Sequence, residues 1–526
     1  MSPGTSGQTL SCSLSRPTEP GPHANPSSDC ALSTIPTGAI GWRALDRSGP
    51  APWQALVAAL LVAALAIGVL APLPDVSWLT VAADRMLQGQ RLYSQVMEVN
   101  PPLSVLLYVP PVLLAGALGV TPETASAWLC VLAIAFSLAL SGALLRPILD
   151  GDRTRAWKLA AAAAFVLCVM PGAAFGQREH IAVMALMPFL SVCFLCSEAR
   201  RPPWTLALVA GLGMGVAVCI KPHFAALAML PALWAMWRSR QFRPYAQIEM
   251  WAAAAAIAAY AVVVLAWFPS FLTDFLPVAL ETYLPIRSPF WMLLVLPGVP
   301  LAVGAVIVAR LLRLEARWLA VPLLAGLGGA VAFLVQGKGW PYHAYPMLAF
   351  TMLALLAGAV LTPPGRTAVL GRIIAPLVLL APLAAMVWLS TGILPGPLAP
   401  AIAAVAPPQP RLIGISGVGM AEVRPLHAHW VGSECIQWIS DGVIRREAAG
   451  PLAPAERTRL EAMQAAERKR LGQDIVTGRP DIILFARSGF DWRSWALRDP
   501  VIATALGQYR LANTVKGVEI WARLRG

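Results

Sequence analysis

Long apolar runs recur along this chain, and they leave few choices of fold. A run of roughly 20 apolar residues matches the hydrocarbon core of a bilayer, where the backbone must satisfy its own hydrogen bonds. About eleven runs approach that length. They fall at Trp53–Leu73, Ala127–Leu145, Trp157–Phe175, Ile181–Leu195, Trp204–Ile220, Phe224–Trp237, Met250–Phe268, Phe290–Ala309, Trp318–Val335, Ala344–Leu361 and Ile373–Leu389. With 57% hydrophobic and 13% charged residues among 526, the chain reads as an α-helical polytopic membrane protein.

The few charges set the expected topology. Lys and Arg collect in cytoplasmic loops, and here they cluster at Arg43/Arg47, Arg146/Arg153/Arg155/Lys158, Arg200/Arg201, Arg238/Arg240/Arg243, Arg310/Arg313/Arg317 and Arg366/Arg372. All the clusters share one side if the apolar stretch from Pro101 to Gly119 does not cross. Pro101, Pro102, Pro110 and Pro111 interrupt its backbone hydrogen bonding, so a broken helix at the outer interface is expected there. The net charge of +13 then reports orientation in the membrane, and nucleic acid is rejected as a partner.

Residues 1–50, rich in Ser, Pro, Gly and Thr, read as a disordered cytoplasmic tail. The apolar stretch after Trp53 exceeds a signal peptide's apolar core and reads as a retained anchor. The membrane domain spans 51–392, with a first outer loop at 74–124 that carries interfacial helices. A Pro/Ala linker at 393–410 leads to a small extracytoplasmic α/β domain at 411–526. That domain is expected to hold strands at Leu412–Ile415 and Asp481–Ala486, a helix at Ala455–Leu471, and a hairpin of Tyr509–Val515 with Val518–Leu524. Cys12 and Cys30 sit in the tail, Cys435 is alone in the C-terminal region, and the other cysteines lie in apolar helices, so no disulfide framework is implied.

Between the remaining helix pairs, short polar motifs gather at the opposite, outer boundary. Asp75 stands where the first span meets an amphipathic helix, Val76–Leu87. Taken alone it reads as a helix cap. In Gly176-Gln177-Arg178-Glu179-His180, an arginine on the outer side runs against the charge bias, and its fork of donors suits a phosphate. Lys221-Pro222-His223 reads equally well as a ligand set or as a snorkelling lysine with its turn. In the loop from Gln336 to His343, Lys338 supplies charge, and Trp340 and Tyr342 offer ring faces to a sugar or isoprenoid or act as interfacial anchors. Asp274 and Glu281 read as solvated loop charges, and His427 with His429 lacks the partners for a metal site.

The pattern Asp75, then Gly89, Arg91, Leu92 and Tyr93, then Glu98, Asn100, Pro101, Pro102 and Leu103 resembles the first extracytoplasmic loop of the GT-C glycosyltransferases. It is most similar to the bacterial branch related to protein O-mannosyltransferases and lipid A aminoarabinose transferases. The chain departs from many relatives in having Asp75–Val76 in place of an acidic pair, and Asn100 in place of a basic residue before Pro-Pro.

The resemblance implies a multi-pass enzyme of the bacterial inner membrane that transfers a sugar from a polyprenyl-phosphate donor to an acceptor hydroxyl, with inversion. Its acceptor, whether protein, glycolipid or glycan, is left open. Asp75 would take the acceptor's proton. Arg178, Lys221 and Lys338 would stabilise the departing phosphate. Glu98, Asn100, Glu179, His180, His223, Trp340, Tyr342 and His343 are the further binding candidates. Some relatives use a divalent metal ion and others do not, so the sequence leaves a metal open. A transporter or flippase of lipid-linked saccharide would call for related halves and midplane polar groups, which the sequence does not display. An O-antigen polymerase or ligase would call for a large outer loop between late spans, whereas here the extended outer regions are the first loop and the C-terminus, and a non-catalytic assembly subunit that keeps the same loop is the third alternative.

Overall fold

The chain is described from a computed structural model, which covers residues 50–70, 74–240, 247–362, 373–391, 398–487 and 489–524. The tail with Arg43, Arg47, Cys12 and Cys30, together with Arg243, Arg366, Arg372 and the first residues of the linker, lies outside the described residues.

The membrane domain begins with α1 (Pro50–Leu70) and α2 (Pro74–Leu87). Two short helices follow, α3 (Leu103–Leu106) and α4 (Val109–Leu118), and then α5 (Pro122–Leu145), α6 (Arg153–Cys168), α7 (Arg178–Ser197), α8 (Trp204–Ile220), α9 (Ala225–Ser239) and α10 (Ile248–Trp267). After α11 (Leu276–Thr282) come α12 (Phe290–Val295), α13 (Gly298–Leu311), α14 (Ala316–Gln336), α15 (Tyr345–Leu361) and α16 (Leu377–Leu389). Among the described residues, five helical segments are long and apolar enough to cross a membrane: Pro122–Leu145, Arg178–Ser197, Ile248–Trp267, Ala316–Gln336 and Pro341–Leu361. Shorter apolar helices stand beside them.

Local chemistry explains the departures from the expected runs. The run Phe290–Ala309 is two helices, because Pro297 cannot donate a backbone hydrogen bond and holds Leu296 extended (ψ 141°). The proline-rich stretch after Pro101 is likewise two short helices, with a break at Leu107–Tyr108. Residues 178–180, expected at a hairpin tip, form the buried first turn of α7. Gly176, with φ +77°, turns the chain into it at a dihedral that a side chain would strain.

Consecutive helices run up and down, so the bundle has two distinct ends. At one end Arg200 donates to the Pro147 carbonyl at 2.7 Å, and Arg317 pairs with Glu198 at 3.1 Å. This is the arginine-rich end. The other end carries the start of α7, the end of α8 and the start of α15.

Beyond α17 (Leu398–Ala403), the C-terminal region forms a five-stranded sheet. Its strands are β1 (Arg411–Ile415), β2 (His429–Trp430), β3 (Ile482–Ala486), β4 (Tyr509–Val515) and β5 (Val518–Arg523), in the order β2-β1-β3-β5-β4. The pairings β1–β2 and β1–β3 are parallel, and β3–β5 and β4–β5 are antiparallel. Lys516 (φ 46°) and Gly517 (φ 76°) make the two-residue hairpin turn, whose positive dihedrals match the strand twist. Helices α18 (Trp438–Ala448) and α19 (Pro454–Gly478) cover the sheet with α20 (Trp492–Ala496) and α21 (Pro500–Leu506). β2 and α18 have no counterpart in the sequence reading.

This domain packs on the non-arginine end. Trp78 and Leu79 of α2 share one apolar cluster with Leu412, Trp430, Ile482 and Ile520 of the sheet region. Gly442 of α18 lies against α11 so closely that a Cβ there would stand 2.0 Å from the Thr282 carbonyl oxygen.

Candidate functional site

Pro74 opens α2, and Asp75 sits in its first turn, where exposed N–H groups favour a carboxylate. Its side chain is 41% exposed, whereas Arg178, at the start of α7, is 4% exposed. Arg178 Nη2 stands 3.5 Å from Asp75 Oδ2, and Nη1 stands 3.9 Å from Glu98 Oε1. Both distances are long for hydrogen bonds. Among the described residues, the Nε and Nη1 atoms of Arg178 have no hydrogen-bond partner. The guanidinium is therefore held electrostatically, with donors to spare.

Glu98 is positioned by its own loop. Its Oε2 accepts from Trp78 Nε1 at 2.6 Å, and its Oε1 accepts from the backbone N–H (2.9 Å) and side-chain amide of Asn100. The Asn100 carbonyl in turn accepts from the Tyr93 hydroxyl at 2.7 Å. Asn100 thus orients Glu98 rather than standing free for a phosphate.

A second polar group lies deeper. Lys221, just past the end of α8, donates to Glu179 Oε1 at 2.5 Å and to Gln336 Oε1 at 2.9 Å, and stands 3.5 Å from His343 Nε2. Glu179 and His343 are themselves 3.7 Å apart. Burial lowers the Lys221 pKa, although the adjacent Glu179 carboxylate opposes this.

Not every candidate joins these two groups. His180 accepts from the Gly176 N–H at its Nδ1 (3.1 Å), and its Nε2 lies 2.8 Å from the Leu167 carbonyl. Both ring nitrogens are spent on backbone, so its role is to hold the turn. His223 packs edge-on to Phe224 at 5.0 Å, and burial followed by the Lys221 charge pushes it down to about 4. Lys338 donates to the Tyr283 carbonyl at 2.5 Å and lies 3.9 Å from the centre of that ring. The structure thus places Lys338 on α11's exit, beside Arg287, rather than on Arg178. Tyr342 meets His343 edge-on at 4.5 Å and Trp340 is tilted against His343 at 5.1 Å, an aromatic cluster that opens outward at Trp340.

No protein-family model matches the chain, and no curated protein matches it. Among solved structures, it is similar to the crystal structure of ArnT from Cupriavidus metallidurans bound to undecaprenyl phosphate, with TM-score 0.53 at 12% identity over 90% of this chain and 98% of that one. The apo ArnT structure gives TM-score 0.51 at 14% identity over the same shares. The chain has the GT-C fold. The mycobacterial arabinofuranosyltransferase AftD is a weaker likeness, with TM-score 0.47 at 15% identity over 90% of this chain and 42% of that one.

Within this GT-C fold, Gln336 and Gln177, which lie in the polar motifs but were not among the site candidates, and Tyr108, which no motif covers, also stand at the site. Gln336 ends an apolar helix as a lone amide, which was a usable signal. Gln177 is fully buried with neither amide atom partnered among the described residues, and Tyr108 donates to the Gly176 carbonyl at 2.8 Å. A tyrosine inside an apolar stretch gives no such signal. Both carboxylate oxygens of Glu98 accept from fixed donors, and among the described residues no group of three His, Cys, Asp or Glu converges.

Proposed function

We propose that this protein is a membrane glycosyltransferase that moves a sugar from a polyprenyl-phosphate carrier to an acceptor hydroxyl. The observation that carries the reading is the Asp75–Arg178 pair, in which a partly exposed carboxylate is set 3.5 Å from a buried guanidinium with unpartnered donors. Arg178 Nε and Nη1 would bind the carrier's phosphate oxygens. The acceptor oxygen would attack the anomeric carbon while Asp75 takes the hydroxyl proton. As that bond forms, the bond from the anomeric carbon to phosphate oxygen breaks, and its electron pair leaves on the phosphate, where Arg178 stabilises the charge. One displacement inverts the anomeric centre.

Lys221 and Glu179 would hold α7, α8 and α14 at fixed spacing behind Arg178. No metal ion enters these steps. The GT-C fold shared with ArnT, which in one crystal structure binds undecaprenyl phosphate, supports the lipid-linked donor. The position of the ionisable groups at a bundle end, not at mid-membrane, favours transfer over transport.

The same reading places the arginine-rich end in the cytoplasm and the C-terminal domain outside a bacterial inner membrane, with about eleven crossings. The test incubates purified protein with undecaprenyl-phosphate sugars and follows release of undecaprenyl phosphate. Release by the wild type that Asp75→Asn abolishes supports the reading. Equal release by both, or none by either across a panel of sugars, overturns it.

A further inference from the structure

At the arginine-rich end, away from the candidate site, α5, α6, α7, α14 and α15 surround an apolar cavity of about 110 Å³. Its wall includes Leu145, Ala160, Phe194 and Trp318. Phe194 and Trp318 stack face to face at 5.2 Å within that wall. Helix interiors normally close such gaps, because an unfilled void forfeits dispersion contacts along its whole lining. The lining is almost wholly apolar, so hydrocarbon suits it.

Two features distinguish this cavity from a packing fault. Ser141 lines it, is 8% exposed, and its hydroxyl has no hydrogen-bond partner among the described residues. A buried hydroxyl left in that state is destabilising, which an acceptor brought in by a ligand would offset. In addition, three wall segments run directly into arginines: Leu145 into Arg146, Ala156 into Arg155 and Trp318 into Arg317. Arg155 pairs with Asp152 and Arg317 with Glu198, but Arg146 forms no ion pair among the described residues. Gly142 lies exposed at the mouth, and a Cβ built there meets nothing within 4 Å.

We infer that this cavity binds an anionic glycerophospholipid. One acyl chain packs against Phe194 and the other apolar lining residues. An ester carbonyl accepts from the Ser141 hydroxyl, and the phosphate group sits at Arg146. The spacing suits such a molecule, since Ser141 stands about 7.5 Å below Arg146 at the helical rise of 1.5 Å per residue, roughly one ester-to-headgroup step. A polyprenyl phosphate has no carbonyl to offer Ser141. The cavity is also distinct from the candidate site, because about 24 Å of α7 separates Phe194 from Arg178 at the same rise.

The test uses the full chain, delipidated in detergent and titrated with phosphatidylglycerol, phosphatidylcholine of the same acyl chains, or undecaprenyl phosphate. Native mass spectrometry reads the one-to-one complexes. Phosphatidylglycerol is expected to bind about ten-fold more tightly than phosphatidylcholine. Gly142→Leu, whose Cβ has open space, puts a bulky side chain at the mouth and should weaken phosphatidylglycerol about ten-fold. Ser141→Ala should weaken both glycerophospholipids, and Arg146→Gln should remove the preference between them. Unfolding temperatures of the lipid-free variants check that they are folded, and Ser141→Ala, which removes only one hydroxyl, decides the matter if Gly142→Leu is not. Equal binding of the two glycerophospholipids, wild-type binding by all the variants, or displacement of phosphatidylglycerol by undecaprenyl phosphate would overturn the inference.

Discussion

Lys221 Nζ lies 2.5 Å from Glu179 Oε1 with both side chains out of water, and this contact ties the end of α8 to the start of α7. Gln336 Oε1 at 2.9 Å brings in the end of α14. Removing one member of a buried ion pair leaves the other uncompensated, which typically costs about 3–5 kcal/mol. Glu179→Ala should therefore unfold well below the wild type in detergent. Replacing both partners with methionine should recover most of that loss. A double variant as unstable as Glu179→Ala would show that the pair is not the source of the effect.

The Asp75–Arg178 pair separates two roles by kinetics. Asp75→Asn keeps the shape but loses the base, so turnover should fall by about 10²- to 10⁴-fold while undecaprenyl phosphate still binds. Arg178→Lys keeps the charge but loses the fork of donors, so it should weaken undecaprenyl phosphate binding as well as turnover. If Asp75→Asn instead abolished lipid binding and left turnover per bound lipid intact, the roles would be reversed.

The sequence made the chemistry of single positions legible but not their partners. Arg178 stood out as a cation on the wrong side of the charge bias, yet its contact with Asp75 spans 103 residues of chain and no local pattern encodes it. Lys338 was grouped with Arg178 by type. Gly337, with φ +67°, turns the backbone there and Lys338 ends on Tyr283. His180 looked like a free ligand because backbone acceptors such as the Leu167 carbonyl are invisible to motif reading. Hydrophobic runs located the helices well, but the Phe290 run concealed the break that Pro297 imposes. β2, only two residues long, carries no alternation to read.

Lys338 supplies a pH signature. Burial, together with the Arg287 and Arg445 charges, pushes its pKa down to about 7 from the usual 10.5. Between those values the unfolded chain holds the proton and the folded chain does not. Stability should accordingly rise with pH from about 7 towards 10.5 on account of this group. Lys338→Met should flatten that part of the profile of unfolding temperature against pH. An unchanged profile would mean that Lys338 stays charged in its site.

The C-terminal domain is fastened to the candidate site through Arg85 of α2, which donates to the Gly432 carbonyl at 2.7 Å and to the Trp430 carbonyl. Beside them the Met97 N–H donates to the Ser433 carbonyl at 2.8 Å. The segment so held leads directly into Cys435, a half-buried thiol whose pKa burial raises, with the Glu98 and Asp75 carboxylates adding to the shift. A protonated, covered thiol reacts slowly with maleimides. Arg85→Ala removes two charge-assisted hydrogen bonds, each worth about 1.5–3 kcal/mol, and should let the segment open more often. Alkylation of Cys435, followed by mass spectrometry of its peptide, should then speed up at least about ten-fold, one factor of ten for each 1.4 kcal/mol lost. The buried Cys168 in the bundle provides the reference: if its rate rose in parallel, Arg85→Ala would be loosening the whole protein rather than releasing the domain from the site.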